Sequence, residues 1–430
     1  MDDSGNSCSR RKFLERAGLG ALALEMAPLL RWGNSSDAIA LSDNDVDMPV
    51  QSVTPNMIGS YGPWAASMLG EQLSEYSFRR SRWEDLDSWR AAAHQQLMAR
   101  LALPDTGGRP EVTVHDTYTY EGLQVEELSW QLPYGRPTEA VFLKPPDSSG
   151  PLPGVVGLHD HGGVKYFGKR KITRTGDSHH RMMLDHQDHY YDGVAWANEL
   201  ARRGYAVLVH DAFTFASRRV LLQNVSEEIR DGLTDENPED PENIRAYNDW
   251  AADHESIMAK SLFCAGTTWP GVFTAEDQRA LDVLAARDDV DADRLGCCGL
   301  SGGGLRTVFL GGVDPRIKVA VPVGMMTTWR DYLLDKSFTH TWMIYIPLLP
   351  KELDYPEILG LRVPRPILVL NNEEDQLFTL PEMQRADEIL QEVYDKAGAA
   401  DRYTASFYPG PHKFDREMQA EAFEWFDRWL

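Results

Sequence analysis

The rhythm of apolar and polar positions changes twice along the chain. From Ser81 to Leu103 the apolar residues recur at helical spacing, with Trp83, Leu86, Trp89, Ala93, Leu97 and Leu101 on one stripe. Pro104 and Gly107-Gly108 end it. Residues 111–146 alternate instead, and EVTVHDTYTYEGLQVEELSWQL and EAVFLKPP predict a meander of strands. From 151 the pattern becomes strand, loop, helix, repeated. GVVGLHDHGG (154–163) is an apolar run ending in glycines, and DGVAWANELARRGYAVLVHD (192–211) predicts a helix, a turn and a buried strand. Thr274 and Asp277 predict a capped helix start for AEDQRALDVLAAR. RLGCCGLS, KVAVPVGM, PILVLNN and RYTASFYPG predict four more strands, and GGGLRTVFLGG a helix between the first two. A last helix, from about Asp415 to Leu430, places Met418, Ala422, Trp425, Phe426 and Trp429 on one face.

Strands and helices alternating at this length predict an α/β fold, with a mostly parallel sheet covered by helices on both faces. Residues 41–110 form an N-terminal helical cover ahead of a catalytic region, 111–430. Two segments, 213–268 and 326–362, exceed plain connections and are expected to form helical caps over one end of the sheet.

The first 40 residues differ in kind. Ser9-Arg10-Arg11-Lys12-Phe13-Leu14, an Ala/Leu/Gly-rich run from Ala17 to Leu30, and Ala38-Ile39-Ala40 together resemble a twin-arginine export signal. The expected location is therefore periplasmic or extracellular. The run is too short and interrupted for a stable membrane span, so no stable membrane insertion is expected after signal removal. Of four cysteines, Cys8 leaves with the signal; Cys264, Cys297 and Cys298 do not make a disulfide framework, and the last two fit a buried strand. The 12 Trp and 16 Tyr argue against disorder. A formal net charge of −23 argues against nucleic-acid binding, which needs clustered Lys and Arg.

Gly299-Leu300-Ser301-Gly302-Gly303 is a G-x-S-x-G placed between an expected strand and an expected helix, the context a nucleophile elbow requires. The glycines let the turn close and the substrate approach, and the helix start aims backbone N–H groups at a developing oxyanion. An acid is expected at a later strand end. NNEEDQLF offers Asp375, with Glu374 as the alternative and Glu373 beside it. A histidine is expected last, and FYPGPHKF supplies His412, with none between it and His340. His412 would take the Ser301 proton while Asp375 holds its tautomer. The oxyanion donors are expected to be the backbone N–H groups of His161 and Gly302, with Gly162 the alternative to His161.

GLHDHGG, RLGCCGLSGGG, NNEEDQLF and YPGPHKF together resemble the α/β-hydrolase superfamily, in its dienelactone-hydrolase-like and acetyl xylan esterase-like branch. The resemblance spans roughly residues 110–430 and implies the α/β-hydrolase fold with no metal and no organic cofactor. Dienelactone hydrolases proper carry a cysteine nucleophile; Ser301 stands there in this chain, which favours ordinary ester hydrolysis. The expected activity is a serine carboxylesterase on short-acyl esters of small molecules or carbohydrates. A peptidase of the same fold is the alternative, although about 70 residues ahead of the first strands leave no room for a propeller domain. A non-catalytic binding module retaining the triad is the other. The histidines at 159, 161, 179, 180, 186 and 189 match no closed zinc spacing, and no metal site is expected from them. Asp160, Asp185, Asp188 and Asp192 are candidates for sugar-hydroxyl contacts. Trp269 and Trp329 are the candidate substrate-binding aromatics, with His340 and Trp342 nearby in sequence to the second. The oligomeric state is not legible.

Overall fold

A computed structural model of the chain describes residues 54–70, 73–236 and 239–430. The export-signal segment and Cys8 lie outside the described residues. The strands are β1 (Val112–Tyr120), β2 (Leu123–Trp130), β3 (Thr138–Lys144), β4 (Leu152–Gly157), β5 (Ala206–His210), β6 (Val290–Leu300), β7 (Ile317–Val323), β8 (Ile367–Asn372) and β9 (Tyr403–Tyr408). They form one sheet in the order β1-β2-β3-β5-β4-β6-β7-β8-β9. The β1/β2, β2/β3 and β3/β5 pairs are antiparallel and all later pairs parallel, so the expected meander feeds a parallel sheet. β1, polar and mostly exposed, is the outer edge, whereas β5 and β8 are buried throughout. That contrast follows from composition: Thr, His, Asp and Tyr against Val, Leu and Ile.

The longer helices are α1 (Leu86–Leu101), α2 (Arg181–Tyr191), α3 (Trp196–Arg202), α4 (Pro241–Cys264), α5 (Trp269–Ala285), α6 (Gly302–Val313), α7 (Leu380–Lys396) and α8 (Arg416–Trp429). α1, α5, α6 and α7 cover one face of the sheet, and α3 and α8 the other. Adjacent Cys297 and Cys298 point to opposite faces, each fully buried and unpaired, as period-two alternation requires. The 213–268 segment contributes α4 and short helical turns. The 326–362 segment is a chain of short helical turns, including Trp329–Asp331, Leu349–Glu352 and Tyr355–Gly360.

Two helix starts differ from the sequence expectation. α1 begins at Leu86 rather than Ser81, because the Asp85 carboxylate accepts from Ser88 N (2.7 Å) and terminates the chain's extended approach. α5 begins at Trp269, not after Thr274. Thr268 is its cap, accepting from Gly271 N at 3.0 Å, and Pro270 suits the first turn. Thr274 is thus inside the helix, its hydroxyl donating to Pro270 O at 2.7 Å. The Thr268 hydroxyl also donates to Leu101 O (2.8 Å), so one side chain starts α5 and satisfies the end of α1. The N-terminal cover is stitched to the 326–362 segment by buried Glu357, which accepts from Ser77 Oγ at 2.6 Å and Phe78 N at 3.2 Å.

A buried ion cluster ties three elements beneath the C-terminal end of the sheet. Arg306 of α6 bonds Asp277 of α5 (Nε to Oδ2, 3.0 Å), and His210 Nε2, at the end of β5, lies 2.9 Å from Asp277 Oδ1. Burial opposes the Asp277 charge more than any single partner favours it, but Arg306 and His210 together outweigh it and hold the carboxyl below its ordinary range. Removing one partner leaves an uncompensated buried charge, so Asp277→Ala is expected to cost about 3–5 kcal/mol in denaturant unfolding. A loss under about 1 kcal/mol would show that the cluster adds little to the fold.

Candidate active site at the C-terminal end of the sheet

At the end of β6 the chain turns sharply into α6, and Ser301 occupies the turn with φ 58° and ψ −119°. A non-glycine residue there is strained, and the surrounding structure must hold it. Ser301 N donates to Val323 O on β7 (2.8 Å), and Ser301 O accepts from Leu305 N (2.8 Å). The flanking glycines are needed for close approach. A Cβ on Gly303 would sit 2.0 Å from Leu158 O, and one on Gly299 2.3 Å from the same atom. Leu158 follows β4, so the elbow is pressed against the exit of the neighbouring strand.

That exit carries His159 to Gly163. A Cβ on Gly302 would lie 2.9 Å from His161 N, which places the two expected oxyanion donors side by side. Among the described residues neither N–H has a backbone acceptor. Past β8, Asp375 is buried and accepts from His412 Nδ1 at 2.6 Å. Its other oxygen accepts from Leu377 N at 2.9 Å, so both are engaged. Glu373 and Glu374 are exposed, and the imidazole contact belongs to Asp375. His412 sits in the loop after β9, in space left open by Gly324, where a Cβ would lie 2.8 Å from its Cε1. His412 Nε2 is buried with no hydrogen-bond partner among the described residues. Ser301, Gly302, His161 and His412 line one cavity of about 300 Å3.

No family model matches the chain. It is 27% identical over 343 residues to YtaP of Bacillus subtilis (strain 168), a candidate hydrolase, covering 79% of this chain and all of the relative. Among solved structures it resembles a candidate acetyl xylan esterase from Bacteroides fragilis NCTC 9343, with TM-score 0.60, 19% identity and 82% of each chain covered. It also resembles a glucuronoyl esterase from Solibacter usitatus, with TM-score 0.54 and 14% identity, covering 83% of this chain and 97% of the other. The chain has the α/β-hydrolase fold.

On this α/β-hydrolase frame, Leu300, Leu305, Met325 and Leu377 line the cavity from the strand ends and α6, and two further places add to the wall. α2 contributes Tyr190, and the 326–362 segment contributes Thr339, His340, Thr341, Met343 and Ile344. His340 is pushed down to about 4 by burial, and its Nε2 lies 2.9 Å from Leu377 O, so it lines the wall as a neutral group at neutral pH. The tryptophans expected to bind substrate do not reach the cavity. Trp269 is buried in the first turn of α5 against Phe213 and Phe273. Trp329 donates from Nε1 to Leu353 O (3.0 Å) and packs on Tyr332 and Tyr355. Both are core residues: Trp269 opens the long helix α5 and Trp329 a short helical segment, and each ring packs into the same hydrophobic core. Trp342 is exposed and outside the cavity lining.

The histidine-rich stretch divides rather than converging. Gly163 N donates to His161 Nδ1 (3.0 Å), so the proton is on Nε2, which donates to Glu255 Oε1 of α4 (2.9 Å). Ala212 N donates to His159 Nε2 (3.1 Å), so His159 Nδ1 donates to Asp160 O (2.9 Å). Burial lowers both histidines' affinity for a second proton. His186 pairs with the buried Asp160 carboxylate at 3.0 Å. His179 and His180 line a separate polar groove of about 640 Å3 between β2, β3 and the start of α2, away from Ser301. Asp185 and Asp192 pair with Arg181 and Arg416 at the surface. Neither they nor Asp188 line the cavity. Glu255, Lys165 and Lys171, which brace the His159–Gly163 loop, had no sequence signal: they lie 94, 4 and 10 residues from His161 and match no motif.

The clearance argument gives a direct comparison. Gly303→Ala forces a Cβ into a backbone carbonyl and is expected to destabilise by about 3 kcal/mol or more. Gly302→Ala would bring a Cβ to 2.9 Å from the His161 backbone nitrogen, also too close but by much less, and is expected to cost about 1–2 kcal/mol. Equal losses in chemical denaturation would overturn the close-approach account of the elbow.

Proposed function

We propose that the chain is a carboxylic-ester hydrolase working through a Ser301 acyl-enzyme on short-acyl esters, with acetylated carbohydrates as the substrate class. One observation carries the reading. The His412 ring is held by buried Asp375 at 2.6 Å, and its other nitrogen is unpartnered beside a cavity shared with a strained Ser301. In this reading Ser301 Oγ attacks the ester carbonyl as His412 Nε2 takes its proton. Asp375 stabilises the imidazolium without itself being protonated. The carbonyl oxygen, now an anion, is met by the N–H groups of His161 and Gly302. His412 returns the proton to the leaving alcohol, then activates water to release the acid and regenerate Ser301.

The cavity of about 300 Å3, walled by Met325, Met343, Ile344 and Leu377, supports a small acyl group. The acetyl xylan and glucuronoyl esterases that share the fold support an alcohol or acid component of carbohydrate type.

The test is hydrolysis of p-nitrophenyl acetate, longer acyl esters and a peptide anilide, with Ser301→Ala alongside. Acetate turnover is expected to be fastest and to fall by about 10^4-fold or more in Ser301→Ala. Asp375→Asn is expected to lose about 10^2- to 10^4-fold, with Glu374→Gln near wild type. Substantial activity in Ser301→Ala would sink the assignment. Preference for the anilide would make the enzyme a peptidase, and no turnover of any substrate would favour a binding protein.

A further inference from the structure

The oxyanion loop is braced from below by a lysine with no access to solvent. Lys171 Nζ donates to Asp160 O (2.9 Å) and to His161 O (2.7 Å), and lies 3.6 Å from Asp160 Oδ2 and 4.9 Å from the Phe215 ring centre. Asp160 O also accepts from His159 Nδ1. Asp160 C=O and His161 N–H belong to one trans peptide, so they point in opposite directions. With the carbonyl turned toward Lys171 and His159, the N–H faces away from them, and its nitrogen is the atom that lies against Gly302.

We propose that Lys171 is a positioning residue for the reaction: its buried ammonium orients and polarises the Asp160–His161 peptide, so that the His161 N–H is a fixed, strengthened donor to the oxyanion. A hydrogen bond to a carbonyl draws charge across the amide and makes the opposite N–H a better donor, and a full positive charge does so more than a neutral group. Because the peptide is held before substrate arrives, no reorganisation is needed as the negative charge develops. The inference rests on the assignment of this cavity as an esterase site.

The charge on Lys171 is conditional. Burial pushes its pKa down to about 8, with Asp160 opposing that fall. Asp160 itself stays ionised: burial opposes its charge, but His186 and Lys171 hold it well below the usual carboxylate range. Tyr191 of α2 also donates to Asp160, and burial raises its own pKa well above the ordinary tyrosine value. Asp211, beyond β5, favours the Lys171 charge, and Lys165, which pairs with Glu255 of α4, disfavours it. On its own turn, Lys169 is paired with Asp211 and Glu139, and Arg170 with Glu239. Lys171 is protonated below about pH 8 and neutral above it, so the polarisation is present at neutral pH and lost on the alkaline side.

The test is the pH dependence of kcat on p-nitrophenyl acetate from pH 6 to 9.5, with the Ser301→Ala rate subtracted at each pH and folding followed by circular dichroism. Wild-type kcat is expected to fall above about pH 8 while the protein remains folded. Lys171→Arg keeps a charge that does not titrate in this range, so the alkaline limb is expected to move up by about one pH unit or more. Lys171→Met is expected to lower kcat by about tenfold to hundredfold with KM within about twofold. A flat wild-type profile, an unmoved limb in Lys171→Arg, or a folded Lys171→Met with unchanged kcat would each overturn the proposal. If neither variant folds, the wild-type profile decides. Activity that survives in Ser301→Ala would instead overturn the esterase reading on which the inference rests.

Discussion

Everything at the candidate site depends on one close backbone approach. The elbow between β6 and α6 is pressed onto the carbonyl of Leu158, at the exit of β4, with clearance for hydrogen atoms only at Gly299 and Gly303. Leu158 N in turn donates to Cys298 O at 2.9 Å, so the two strand ends are bonded to each other. This contact brings Ser301 and the His161 peptide to the same place, though 140 residues separate them in sequence. If the turn were held further from β4, Ser301 and the His161 peptide would face different spaces. Close packing of two strand exits therefore creates the candidate site before Asp375 and His412 are considered.

Around that contact the structure uses buried charged groups as well as packing. The insertion helix α4 reaches the His159–Gly163 loop through Glu255, which accepts from His161 and from Lys165, while Asn248 accepts from Tyr166 N. From the opposite side Lys171 holds the carbonyls of residues 160 and 161. The Arg306–Asp277–His210 cluster fixes α6, the helix that begins at Ser301, to α5 and β5. Such buried pairs add little net stability, because desolvation offsets much of their attraction, but they are intolerant of misplacement. They suit a loop whose N–H must stay in one orientation. No described residue of the 213–268 insertion lines the cavity; through Glu255 it braces the loop that forms one wall of it.

The order of elements, the alternation of strands and helices, and the positions of Ser301, Asp375 and His412 at strand ends were legible from local pattern. Each rests on short-range rules: glycine spacing at a strand-to-helix turn, an acid just beyond an apolar run, a histidine between the last strand and the last helix. Asp375 and Glu374 were adjacent candidates with the same chemistry, and only the direction of each side chain at the end of β8 separated them. Helix starts were less legible. Thr274 looked like a cap because of its spacing to Asp277, while the actual cap, Thr268, was hidden in TTWPG, which reads as a loop.

The sequence by itself determined the α/β alternation, the glycine-flanked turn at Ser301 and the chain order of Ser301, Asp375 and His412, because these follow from hydrophobic period and local backbone demand. Only the tertiary structure decided which aromatics are core. Trp269 and Trp329 carry no local mark that distinguishes a buried ring from a cleft-lining one, and burial is a property of what packs against them. It also decided that His161 is braced by Glu255 and Lys171, since these buried hydrogen bonds join segments that share no periodicity to read. The physical reason is common to both: short-range sterics are written in neighbouring residues, whereas desolvation and charge pairing exist only once distant surfaces meet.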